Sequence, residues 1–255
     1  MNDPLVLTED WKTPAGLRVR TIVLNRPDKA NAMNAAMQKQ VAAAVADSPA
    51  QLHVLRSASE RVFCAGADIA QFVEGSTALA QQEHALLEML EALASSTIPL
   101  VAVARGKASG AGALLLTLAD AVLAAENVEI ACPEIRFGMY PVIVEAVLQS
   151  RVSPALAARM CLGQPLTASQ AFETGLVTEV LPCVEFASQS AQRLDFFLAR
   201  AAGLTVARKA RLLSQPAAAL MHTVRTVAPL MAENYEKAGV REQMLAYLAG
   251  LGRRA

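Results

Sequence analysis

Two stretches of this chain join a strand-like apolar run to a turn of small residues and then to a helix. They are Val62–Ala70 (VFCAGADIA) and Val101–Leu116 (VAVARGKASGAGALLL). Turns of this kind expose backbone N–H groups, and the following helix adds partial positive charge at its N-terminus. Two such N–H groups converging on one point would hold an oxygen that gains negative charge during a reaction. Small side chains would let a carbonyl oxygen come close. Tight packing of a helix on its strand selects the same residues, so spacing alone leaves both readings open. The second stretch offers no carboxylate before Asp120, which raises the question of what would carry a proton.

Other chemistries fit less well. GKASGAG lacks the spacing of GxSxG, so Ser109 is not a nucleophile-elbow serine. No Gly-Lys-Ser/Thr follows the glycines, and GxGxxG is absent, so phosphate-loop and dinucleotide fingerprints fail. His53, His84 and His222 show no ligand spacing and read as structural or surface groups. The four cysteines, Cys64, Cys132, Cys161 and Cys183, match neither a zinc pattern nor CxxC. They read as buried free thiols in a reducing compartment. No metal site is expected.

The elements that must position these turns follow from periodicity. Leu17–Leu24 is a strand ending at Asn25-Arg26-Pro27, and Asn31 or Asn34 caps a helix running to about Ala46. Leu52–Ser57 and Leu100–Ala104 are further strands, with a helix from about Leu79 to Ser95 between them. A helix begins near Leu114, and Val122–Ala125 and Glu129–Cys132 are strands. Pro154–Leu162 and Thr167–Thr174 are helices, the second stopped by Gly175. Val177–Leu181 is a last strand, and nearly everything from Phe186 onward is helical. Residues from Phe72 to Ala80 read as a flexible lid. The spacing gives an α/β core over 1–195 and a helical C-terminal region over 196–255.

Composition narrows the class. Of 255 residues, 54% are apolar and 18% charged, enough to build a sizeable core. Formal net charge is zero, which argues against a nucleic-acid or acidic-membrane partner. The N-terminus is acidic and has no signal-peptide core. The most apolar run, Ala111–Ala125, falls short of the roughly 20 residues a membrane span needs. The expected location is cytoplasmic.

Five segments occur in order: Leu24–Ala35 (LNRPDKANAMNA), Phe63–Ile69 (FCAGADI), Pro99–Gly112 (PLVAVARGKASGAG), Ala131–Pro141 (ACPEIRFGMYP) and Leu162–Pro182 (LGQPLTASQAFETGLVTEVLP). Together they resemble the enoyl-CoA hydratase/isomerase family, the crotonase superfamily, over nearly the whole chain. The resemblance implies a crotonase-like spiral of ββα units with a helical C-terminal region that makes a homotrimer or a dimer of trimers. It implies an acyl-CoA thioester as partner, coenzyme A entering as part of the substrate, and no permanently bound cofactor.

Residue by residue, the resemblance implies an oxyanion hole from the N–H groups of Ala67 and Ala111, the latter standing where glycine is usual. It implies that Ala30 and Ala32, with Ala65, Gly66, Asp68, Ile69 and Ala70 opposite, border coenzyme A. Asp68 is commonly a structural cap in the family. Gly110 precedes the second N–H donor. Tyr247 falls near a phenylalanine that approaches coenzyme A, and Gly250 replaces the lysine that often follows it. Hydratases of the family use two glutamates. Here those positions hold Leu114 and Glu134, so one carboxylate remains. A single carboxylate suits double-bond isomerisation, in which it serves as base and then as acid, and Glu134 is the expected catalytic residue. Hydration with another water-positioning group is the alternative. A CoA-binding scaffold without turnover is the second alternative. Glu145, on a helix starting near Pro141, could substitute as an acid. Val142, Ile143 and Val144 would reshape the acyl pocket.

Overall fold

Between Leu52 and Ala131, successive strands of this chain alternate between two sheets. The structure, a computed structural model, describes residues 4–237 and 239–251. One sheet runs in the order β1 (Val6–Lys12), β2 (Arg18–Leu24), β3 (Leu52–Ser57), β5 (Leu100–Ala104), β7 (Ala121–Ala125), β10 (Glu179–Leu181). The other runs β4 (Val62–Cys64), β6 (Lys107–Ser109), β8 (Glu129–Ala131), β9 (Leu166–Thr167). Strands β3 and β4, β5 and β6, β7 and β8 are three steps of one spiral. Each places a strand in the first sheet, a strand in the second, and then a helix. This is the expected α/β spiral of ββα units.

Except for the β1–β2 pair, the first sheet is parallel. Helices cover it, so β5 (LVAVA) and β7 (AVLAA) are apolar throughout rather than alternating. In the second sheet β4, β6 and β8 are parallel, and β9 runs antiparallel to β8.

The helices follow the sequence signals closely. α1 (Ala35–Ala46) is capped by Asn34, whose side chain accepts from Met37 N at 2.9 Å. α2 (Ile69–Phe72) is one turn, and α3 (Ser76–Ser95) begins three residues before the expected start. α4 (Ala111–Leu118) likewise starts ahead of Leu114 and is buried along its whole length. α5 (Val142–Leu148) and α6 (Pro154–Cys161) follow. α7 (Ala168–Glu173) carries a capping box between Thr167 and Gln170. The C-terminal region comprises α8 (Phe186–Leu198), α9 (Ala201–Ser214), α10 (Ala217–Val227), α11 (Pro229–Tyr235) and α12 (Val240–Leu251). The boundary drawn at 195 therefore falls inside α8.

One expectation is corrected. Phe72 to Ala80 is no loose lid, because Phe72 and Leu79 are buried with Phe137, Met139, Val240 and Met244 in a small second core. Tyr235 Oη donates to Phe72 O, and Arg241 Nη2 donates to Val73 O at 3.1 Å. Burying two such apolar side chains is worth about 3 kcal/mol or more, which opposes opening.

Asp120, the first carboxylate after the second turn, has a structural task. It receives Leu100 N at 2.8 Å and Arg208 Nη1 at 2.8 Å, and it also pairs with Arg211. Arg208 is buried and donates further to Ser96 O and Leu93 O. This cluster ties α9 to the sheet and to the end of α3.

Candidate active site

The three segments that could do chemistry leave the C-terminal ends of β4, β6 and β8. Because these strands are parallel neighbours, their ends lie side by side. After β4 come Gly66 and Ala67, after β6 come Gly110 and Ala111, and after β8 comes Glu134. Backbone bonds fix the spacing. Met33 N donates to Gly66 O at 2.7 Å, and Asp68 N donates to Met33 O at 2.9 Å, so the residue between them, Ala67, sits in a parallel bridge with Met33. Gly110 N donates to Ala131 O at 2.9 Å, which stitches the second turn to the strand leading into Glu134.

Glycine is needed where these turns meet. Gly66 has φ 105°, and a Cβ there would stand 3.2 Å from Ser109 O. Gly110 has φ 48°, and a Cβ there would stand 3.5 Å from Gly66 Cα. The left-handed backbone is thus taken by Gly110, while Ala111 is the first helical residue of α4 and carries its methyl group without strain. Among the described residues, neither Ala67 N nor Ala111 N finds a hydrogen-bond partner. Gly112 lets α4 close on β4, since a Cβ there would meet Cys64 O at 2.8 Å.

Glu134 lies in a short 3-10 turn, Pro133–Phe137, started by proline and ended by Gly138 at φ 75°. The residue is half-buried, but Oε2 is shut off from solvent and has no hydrogen-bond partner. Burial pushes its pKa up to about 7, opposed by a hydrogen bond from its own backbone N–H. Its apolar surroundings include Leu114, Phe137 and Val142.

These groups line one cavity of about 100 Å³. Of the expected residues, Ala65, Gly66, Ala67, Ile69, Ala111, Leu114 and Glu134 line it, as do Val142, Ile143 and Val144. Asp68, Ala70 and Gly110 stand behind or beside that wall. Asp68 accepts from Ala70 N at 3.1 Å and pairs with Arg26 at 2.6 Å, so it caps α2 and pins the loop before α1. Ala30 O accepts from Ala65 N at 3.0 Å, and Ala32 O accepts from Arg26 Nη1 at 2.8 Å, which brings that loop against the first turn. Ala30 and Asn31 both adopt positive φ, and buried Asn31 holds the bend by donating to Ser57 Oγ and Phe63 O. Tyr247 does not line the cavity. It is half-exposed and meets Phe137 edge-on at 5.1 Å between ring centroids.

Glu145 is outside the cavity wall and faces Tyr140, whose phenol is pushed up first by burial and then by the hydrogen bond to Glu145. His53 is buried in β3 and held neutral, with a pKa down to about 4, chiefly by burial and then by Arg20. His84 and His222 are exposed. Cys64, Cys132 and Cys161 are buried and Cys183 is half-buried.

The sequence reading missed Gln38, Gln82, Met231 and Met244, all of which line the cavity. The glutamines left a trace. Gln82 falls on the same helical stripe as Leu79, Met89 and Leu93, and Gln38 on that of Val41 and Val45, all buried. A polar residue on an apolar stripe is a residue to explain. Met231 and Met244 come from the C-terminal helices, and nothing local marks them.

Residues 15–251 match the profile of the enoyl-CoA hydratase/isomerase family. Among similar proteins, the 2,3-dehydroadipyl-CoA hydratase of Escherichia coli (strain K12) is 35% identical over 187 residues, 69% of this chain and 72% of that protein. A probable enoyl-CoA hydratase of Rhodobacter capsulatus is 32% identical over 183 residues, 69% of each chain. The crystal structure of enoyl-CoA hydratase from Bacillus halodurans superposes with a TM-score of 0.82 over 95% of this chain and 99% of that one, at 16% identity, which shows the shared fold. With the profile spanning most of its length and a relative above 30% identity, the chain belongs to the enoyl-CoA hydratase/isomerase family of enzymes.

Proposed function

We propose that this protein binds acyl-CoA thioesters and converts a 3-enoyl-CoA into the 2-enoyl isomer, with Glu134 as the proton carrier. One observation supports this reading above others: the cavity pairs a single carboxylate, whose buried Oε2 has no hydrogen-bond partner, with an apolar Leu114. The Glu134 carboxylate takes a proton from C2. The electron pair of that C–H bond forms the C1–C2 double bond of a dienolate, and the thioester oxygen takes the charge. The N–H groups of Ala67 and Ala111 hold that oxygen. The proton then goes from Glu134 to C4, the carbonyl re-forms, and the double bond lies between C2 and C3. Glu134 ends as it began, and no second reactant is consumed. A carboxyl poised near neutrality can both accept and return the proton.

Coenzyme A would run past Ala30, Ala32 and the Ala65–Ala70 turn, with Tyr247 at its edge. The proposed homotrimer, or pair of trimers, is supported by large apolar side chains left exposed on the C-terminal region, among them Val206 and Leu213 on α9.

Hydration of a 2-enoyl-CoA is a second reading, favoured by the names of the relatives. Incubation with 3-enoyl-CoA and, separately, with 2-enoyl-CoA decides between them. Isomerisation that is lost in Glu134→Gln supports the proposal. Efficient hydration with slow isomerisation sinks it. Thioester binding without turnover of either substrate would point to a scaffold.

A further inference from the structure

Three residues that line one cavity each carry a buried side-chain oxygen without a hydrogen-bond partner: Glu134 Oε2, Gln38 Oε1 and Gln82 Oε1. The proposed reaction uses the first and leaves the other two unexplained. Gln38, on α1, is 1% exposed and Gln82, on α3, is 2% exposed. A buried amide oxygen without a partner destabilises the fold. Two of them on residues of one cavity wall call for a ligand that satisfies them.

The orientation of Gln82 is set by chemistry. Its Nε2 donates to Met33 O at 2.6 Å, and an oxygen in that place would oppose another oxygen. Gln82 therefore keeps its carbonyl oxygen as the unbonded end of the amide, a fixed acceptor on a residue of the cavity wall. Among the described residues the Gln38 side chain has no hydrogen bond that fixes it, so its amide can turn either end inward. A fixed acceptor selects a donor. A hydroxyl can donate to Gln82 Oε1 and accept from the Gln38 amide at the same time. A carboxylate brings only acceptors, and a plain hydrocarbon leaves both amides unsatisfied.

We infer that Gln38 and Gln82 form a polar subsite for a hydroxyl group carried on the acyl chain, which makes hydroxylated short-chain acyl-CoA thioesters the substrate class. This inference rests on the acyl-CoA reading given above. Chain length follows from room. The cavity of about 100 Å³ is smaller than the roughly 150 Å³ apolar cavity that holds benzene.

The test is a calorimetric titration with saturated thioesters that cannot react: pentanoyl-CoA, 4-hydroxypentanoyl-CoA, 5-hydroxypentanoyl-CoA and glutaryl-CoA. Each is measured against the unaltered protein, Gln38→Met and Gln82→Met. At least one hydroxypentanoyl-CoA should bind about tenfold more tightly than pentanoyl-CoA, because a site built to bond a hydroxyl rejects a chain lacking it. That gap should shrink to about twofold or less in both variants. Gln38→Met is the cleaner one, since it spares the Gln82–Met33 bond. Equal binding of hydroxylated and plain chains, or a gap that persists in both variants, overturns the subsite. Preference for glutaryl-CoA overturns the choice of a hydroxyl. Failure of every thioester and of free coenzyme A to bind overturns the acyl-CoA reading itself, and the subsite with it.

Discussion

Gly110 leaves the space that Glu134 Oε1 occupies: a methyl group on Gly110 would overlap that oxygen. The turn that leads into Ala111 and the carboxylate are therefore fitted to each other through a missing side chain. Gly110→Ala should do two things. A φ of 48° is costly for alanine, by about 1–3 kcal/mol, so the melting temperature falls. The carboxylate must also move aside, so turnover falls more than stability alone explains. Thermal melts and steady-state rates on the same preparation check this. Unchanged turnover would mean that Glu134 does not work from its present position.

The rate should follow the protonation of Glu134. With its pKa raised to about 7, the free enzyme holds the base form only above that pH. Hence kcat/KM for 3-enoyl-CoA should rise with pH, with a midpoint near 7, and then level off. Glu134→Gln should lower the rate by about 10²–10⁴-fold and remove the midpoint.

The same substitution should stabilise the fold in alkali. A raised carboxyl pKa means that the folded state favours the protonated group. That contribution is complete below the unfolded value near 4.5 and is lost as pH rises through about 7. At pH 8 the ionised group costs about 3 kcal/mol. Glu134→Gln should therefore melt higher than the parent at pH 8 and not at pH 4.5. Denaturation at the two pH values reads this directly.

Arg208→Met should be severe. It would leave Asp120 with Arg211 as its one remaining cation in that cluster, and would strip donors from Ser96 O and Leu93 O. Breaking a buried pair from one side costs about 3–5 kcal/mol. The denaturant midpoint should drop accordingly. A change below about 1 kcal/mol would show the cluster to be dispensable.

The spiral was legible where strands are mostly buried and rich in apolar residues. β3 and β5 fall on Leu52–Ser57 and Leu100–Ala104, the limits their residues suggest. β1 was not, because it is an edge strand whose residues are mostly exposed, so Val6–Lys12 shows no apolar alternation. β6, at three residues, hides inside a glycine-rich turn. At the site, Ala67, Ala111 and Glu134 came from motifs in the chain. Gln38 and Gln82 left only a trace, a polar residue on an apolar stripe, because polar helix residues ordinarily face water and it is the packing of α1 on α3 that buries these two. Phe72 and Leu79 misled for the opposite reason. Their burial partners, Val240 and Met244, arrive from the far end of the chain.

That distance bears on how the protein is made. Asp120 leaves the ribosome 88 residues ahead of Arg208. At about 5–20 residues per second the wait is roughly 4–18 s. Through that interval the nascent sheet carries an acid whose counter-ions do not yet exist, and the edge of α3 that α9 will seal stays open. Chaperone contact during synthesis should accordingly concentrate between the emergence of β7 and the emergence of α9.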